Sequence, residues 1–168
     1  LDTTDDKIPH PYGLVSYLVK NTITENGSVK RGVCQVENGM LTKITESVIE
    51  KVDGELIARP LNGAKEFVVD KDEPVSMNLM LFTPSIFPYI EKKFPEFFEN
   101  NQDDLEKCEY LIPDVLFSSI EEKYATVRVL ETTAAWYGVT YKEDAENVKE
   151  ALKRLVDENE YPSNLWEK

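Results

Sequence analysis

Histidine occurs once and cysteine twice in these 168 residues. The single imidazole, His10, is held between Pro9 and Pro11, which excludes a multi-histidine zinc centre and argues against a serine or cysteine nucleophile served by a histidine base. Cys34 and Cys108 stand alone, without metal-ligand spacing. Sequence leaves a disulfide between them open, but buried reduced thiols are the expectation, and with them a reducing, cytoplasmic compartment. Basic residues are scarce as well: 19 Lys and Arg face 32 Asp and Glu, for a net charge of −13. Such a surface repels phosphodiester backbones and anionic lipids, so neither nucleic acid nor a membrane is an expected partner. No apolar run approaches the ~20 residues of a membrane span, and the N-terminus is polar, unlike a signal sequence. A glycine-rich phosphate loop is also missing.

What is present is enough apolar sequence for one core, 41% of residues, so a single globular α/β domain over 13–168 is expected behind an extended leader at 1–12. Its most apolar stretch is 75–82, polar only at Ser76 and Asn78. That pattern predicts a central strand covered on both faces, followed by a helix that Thr83 caps and Pro84 opens. Asn78 then needs hydrogen-bond partners, because an unpaired buried amide costs about 1–3 kcal/mol.

Around this element, 13–19 reads as a buried strand, and 31–36 and 40–45 as a hairpin turning at Asn38-Gly39. A second, more exposed hairpin is expected from 56–59 and 66–69. Pro88 and Pro95 break the following region into short helical pieces, with another helix after Pro113. Strict alternation over 125–130 predicts a strand with one buried face. Thr140 and Glu143 form a capping box for a last helix with Val148, Ala151, Leu152, Leu155 and Val156 on its apolar stripe.

Three blocks, in this order, carry a family likeness. They are Arg31-Gly32-Val33-Cys34-Gln35-Val36 with Ile44-Thr45-Glu46, the strand-helix segment 75–87, and Trp136-Tyr137-Gly138-Val139-Thr140-Tyr141-Lys142-Glu143-Asp144. Together they resemble the C-terminal half of sugar-1-phosphate nucleotidyltransferases, over most of 13–157. The resemblance implies the acceptor-binding half of a Rossmann-like nucleotidyltransferase domain: a mixed sheet with flanking helices. The full protein would transfer a nucleotidyl group from a nucleoside triphosphate to a sugar 1-phosphate or similar phosphorylated alcohol, releasing pyrophosphate with Mg2+. Carried over by position, Gly32, Glu46, Ser76 and Asn78 are the expected substrate-binding residues. Catalytic residues are not assigned. The chain departs from the family pattern where a magnesium-binding aspartate would fall, at Gly138, leaving Asp144 as the candidate ligand; Ser47-Val48 replaces an expected Lys-Pro, and Lys30-Arg31 is the candidate source of the missing cation.

The first residue is Leu1, and with the nucleotide loop missing the expectation is a fragment that is inactive alone and either self-associates through an exposed sheet edge or exposes an apolar patch on the order of several hundred Å². The competing expectation is a non-catalytic acidic binding or scaffold domain.

Overall fold

The computed structural model describes residues 8–23, 27–138, 144–164 and 166. These form β1 (His10–Leu18), β2 (Val29–Glu37), β3 (Met40–Val52), β4 (Glu55–Pro60), β5 (Phe67–Val69), β6 (Pro74–Leu81), α1 (Ile86–Asn100), α2 (Ile112–Glu121), β7 (Ala125–Thr132) and α3 (Asp144–Asp157). The seven strands are ordered β2-β6-β1-β7-β3-β4-β5, and β2 pairs with β3 as well. That extra pairing closes β2-β6-β1-β7-β3 into a five-stranded barrel from which β4 and β5 extend. Among the described strands only β1 and β7 pair in parallel. The mixed α/β class expected from the sequence is present, whereas a closed, mainly antiparallel barrel differs from the open, mostly parallel sheet of a Rossmann-like domain.

The chain divides into two units, Leu1–Ala134 and Ala135–Lys168. In the first, two clusters of buried side chains occupy opposite faces of β2 and β6, because side chains alternate along a strand. Cys34 belongs to a cluster with Tyr12, Leu14, Ile44, Val127 and Leu116. Its neighbour Val33 belongs to another, with Val75, Ile49, Ala58 and Val69. Helices α1 and α2 cover the first cluster with Ile86, Tyr89, Val115 and Leu116. In the second unit, α3 buries Ala151, and Arg154 Nη2 donates to the Tyr137 hydroxyl at 2.9 Å.

Local chemistry explains the turns. Asn38 and Gly39 adopt φ of 52° and 76° between β2 and β3, and Asp53 and Gly54 adopt 51° and 93° between β3 and β4. Both are two-residue turns with left-handed backbone, which Asn-Gly and Asp-Gly tolerate best. The expected second hairpin is present as β4 and β5, with Leu56 opposite Val69. The free edge of this extension is β5, where Phe67 and Val68 are exposed.

Several local expectations are corrected. β6 is central, flanked by β1 and β2, but only Val75 and Ser76 are buried within it. Leu14 pairs with Met80 and Ser16 with Ser76, so Met77, Asn78 and Leu79 stand opposite the single residue Val15. This bulge turns Asn78 to the exposed surface with φ of 59°, and an asparagine is among the few residues that accept that conformation. The requirement for buried partners therefore lapses. The helical pieces expected around the prolines are one helix, α1. Pro88 sits in its first turn, where N–H groups have no intrahelical partner, and Pro95 removes one interior bond. The aromatic cluster of Phe94, Phe97 and Tyr110, with ring centroids 4.8–6.3 Å apart, holds the helix together across that gap. Thr83 does not cap α1 with its side chain; its hydroxyl lies 2.7 Å from that of Ser85, and its carbonyl accepts the Ile86 N–H at 3.2 Å. The Thr140 to Glu143 capping box lies outside the described residues.

Candidate functional site

Strand register brings three of the four expected binding residues into one row. Gly32 of β2 pairs with Glu46 of β3 on one side and with Ser76 of β6 on the other. The Glu46 side chain lies back across Gly32: a Cβ on Gly32 would meet Glu46 Oε1 at 2.7 Å, Ile44 Cγ2 at 2.8 Å and Ser76 Cβ at 3.3 Å. Only a residue without a side chain leaves room for the carboxylate there. The Leu61 N–H donates to the Glu46 carbonyl at 2.8 Å, fixing the strand on its other side. Asn78 joins the row through its backbone, its N–H donating to Ser76 Oγ at 3.2 Å. Its side chain is on the exposed surface.

Glu46 is half-buried. Burial, and then the charge of Asp114, push its carboxyl above the ordinary glutamate range. Asp114, in the first turn of α2, is itself raised by burial. The arrangement is thus one carboxylate over a glycine, with Ser76 beside it and a second carboxylate, Asp114, near enough for its charge to be felt. Sequence reading does not single out Asp114, because its proximity to Glu46 has no local signal. Cys34 lies under the same row, its Sγ 3.5 Å from the Gly32 carbonyl. Burial, followed by the charge of Glu46, pushes its thiol up to about 12, which rules it out as a thiolate nucleophile at neutral pH.

Other expected contributors lie elsewhere. Arg31 is on the opposite face of β2 from Gly32, and its guanidinium donates to the carbonyls of Lys30, at 2.7 Å, and of Thr22. It therefore does not supply the cation missing next to Glu46. Gly138 is crossed by the Trp136 indole, whose Cη2 would lie 2.0 Å from an added Cβ; a carboxylate there would require the ring to move. The Asp144 side chain lies outside the described residues. Among the described residues no group of three His, Cys, Asp or Glu side chains is arranged to hold a metal ion. Glu46 and Asp114 alone do not make a magnesium site.

Searches of protein-family models and of curated proteins found no match to this chain.

The carboxyl of Glu46 provides a direct test of the local environment. Its folded-state affinity for a proton exceeds that of the unfolded chain, so its contribution to stability is full below the ordinary glutamate pKa and is lost as pH rises above it. Glu46→Gln removes this dependence. The stability of the variant relative to the wild type, from urea midpoints at several pH values, is expected to rise as pH goes from about 4 to about 7. A difference that stays flat or falls would mean that Glu46 is solvated rather than confined over Gly32.

Proposed function

We propose that this chain is the acceptor-binding portion of a nucleotidyltransferase whose full protein joins a nucleoside triphosphate to a sugar 1-phosphate or comparable phosphorylated alcohol, releasing pyrophosphate. The observation that supports this best is the Ser76, Gly32, Glu46 row, in which a half-buried carboxylate rests across a bare strand next to a serine hydroxyl. A polyol is recognised by such a set: carboxylate oxygens accept from sugar hydroxyls, and a glycine lets a ring approach the backbone. The second carboxylate, Asp114, orients the acceptor. Two acidic groups repel a phosphate, so the hydroxyl end sits at Glu46 and the phosphate points away, toward the incoming triphosphate. An oxygen of that phosphate attacks the α-phosphorus, and pyrophosphate leaves. Positioning and charge neutralisation supply most of the rate in such transfers. Mg2+ enters by family resemblance, with ligands beyond Glu46 and Asp114. A cytoplasmic compartment fitting the two free thiols and self-association through the β5 edge belong to the same proposal. No helix among the described residues is long and apolar enough to cross a membrane.

The test is pyrophosphate release from a panel of nucleoside triphosphates with Mg2+ and sugar 1-phosphates, comparing this chain with the product of its full reading frame. The chain alone is expected to be inactive and the full product active. Glu46→Ala in the full product should raise the acceptor KM about tenfold or more and leave the nucleotide KM within about twofold, since a hydrogen bond to a charged group contributes ~1.5–3 kcal/mol. An unchanged acceptor KM would remove Glu46 from the site. The second reading, an acidic binding domain without chemistry, is favoured by the closure of the barrel through β2 and β3, which leaves no long sheet edge for another half to complete. Its signature is a full product with no turnover.

A further inference from the structure

An aromatic ridge runs along the solvent side of α1. Phe87, Glu91, Phe94 and Phe98 follow the spacing i, i+4, i+7, i+11 in that helix, so at about 100° per residue they lie within about 60° of one another and span roughly 16 Å. The helix turns its other side inward, burying Ile86 and Tyr89. Phe87 is 70% exposed, Phe94 48% and Phe98 46%, which leaves roughly 300 Å² of aromatic surface in water. Single exposed apolar residues need no account, but a contiguous patch of this order commonly marks an interface. The ridge is also held in place. The Phe94 ring rests against Tyr110, with centroids 5.6 Å apart, so little side-chain freedom is lost when a partner lands on it.

Glu91 decides what covers the ridge. It is exposed, lies one helical turn from Phe87 on one side and from Phe94 on the other, and has no ion-pair or hydrogen-bond partner among the described residues. Glu96 and Glu122, by contrast, share Lys93. A second copy of the chain is a poor match. Two ridges crossing antiparallel about a two-fold axis set each Glu91 against a Phe94 of the other copy, with no cation in the seam, and both molecules carry a net charge of −13. A basic residue meets the need. Arginine fits best, because its planar guanidinium pairs with a carboxylate through two N–H donors and stacks on the aromatic ring beside it.

We propose that the outer ridge of α1 docks an amphipathic helix of another protein, with apolar residues at three positions of its own i, i+4, i+7, i+11 stripe and an arginine at the fourth, opposite Glu91. The apolar positions cover the three phenylalanines as in helix-on-helix packing, and the pairing of arginine with Glu91 sets the register. The negative charge of the whole chain speeds the encounter with a basic helix. The inference is independent of nucleotidyl transfer, and its test reads binding alone.

The experiment is fluorescence anisotropy of two labelled, alanine-rich helical peptides titrated with the whole chain. Both carry leucine at three stripe positions; the arginine is at i+7 in one, for antiparallel docking, and at i+4 in the other, for parallel docking. One of the two is expected to bind with a dissociation constant of about 100 µM or tighter. Replacing its arginine by glutamate should weaken binding about tenfold or more, Glu91→Gln in the protein about twofold to fivefold, and Phe94→Ser about tenfold. Phe87→Ser supplies the same reading if Phe94→Ser does not fold, since Phe87 is the more exposed. Val68→Ser on β5 should leave binding unchanged. Equal binding of the arginine and glutamate peptides would overturn the proposal in favour of an unselective apolar surface, and no saturable binding by either arginine peptide would overturn it outright. A dimer in sedimentation equilibrium that Phe87→Asp dissolves would overturn it too, because a second copy would then be the occupant.

Discussion

Leu116→Ala is expected to lower the stability of the first unit by about 3 kcal/mol, within the ~2–5 kcal/mol range for emptying a buried leucine site. Leu116 is fully buried and projects from α2 into the cluster shared with Tyr12, Leu14, Ile44 and Val127. The surrounding strands are tied to one another around the barrel, so they cannot close in on a vacated site without breaking ladder hydrogen bonds, and most of the cavity should persist. For a chain of this length the loss corresponds to a fall in Tm of roughly 6–12 °C. Thermal and urea unfolding would measure it, with Leu152→Ala as the control. Leu152 is 43% exposed on α3, and its truncation should change stability by no more than about 0.5 kcal/mol. A loss below about 1 kcal/mol for Leu116→Ala would mean that α2 is not seated on the sheet as described.

Gly32→Val should be comparably severe, and for the opposite reason. A Cβ at this position comes within 2.7 Å of Glu46 Oε1 and 2.8 Å of Ile44 Cγ2. The carboxylate can swing away at little cost. Ile44 cannot, because it is buried in the same cluster as Leu116, and valine adds two further methyl groups to an already crowded row. Overpacking of this sort costs about 1–3 kcal/mol. Gly32→Ala should already be destabilising, since its Cβ meets Ile44 Cγ2 at 2.8 Å, and Gly32→Val should fall near the upper end. Urea midpoints with unchanged m-values would report this as a folded-state effect. A Gly32→Val protein as stable as the wild type would show that Ile44 does not close over Gly32 as described.

The elements that were legible in sequence are those decided by neighbouring residues. Asn38-Gly39 announces its hairpin because Asn and Gly accept the left-handed backbone that a two-residue turn needs, and alternation from Ala125 announces β7 because its burial pattern is set by a period of two. Asp53-Gly54 carries the same signal as Asn38-Gly39 and makes β3 long enough to serve both the barrel and the extension. In the candidate site, Gly32, Glu46 and Ser76 could be nominated one at a time, but nothing in their spacing shows that they are adjacent.

The amino-acid sequence by itself determined the mixed α/β class, the Asn38-Gly39 turn, the one-sided strand β7 and the net charge of −13. Each of these depends on backbone preference, side-chain period or summed charge, which are properties of short stretches or of composition. Tertiary structure alone decided the closure of the barrel, the bulge that carries Asn78 to the surface, and the meeting of Glu46 with Asp114. Those depend on which distant strands pair and in what register. A shift of one residue in β2 or β6 would send Gly32 or Ser76 to the other face, so the row exists only because long-range pairing, driven by burial of both clusters at once, selects a single register.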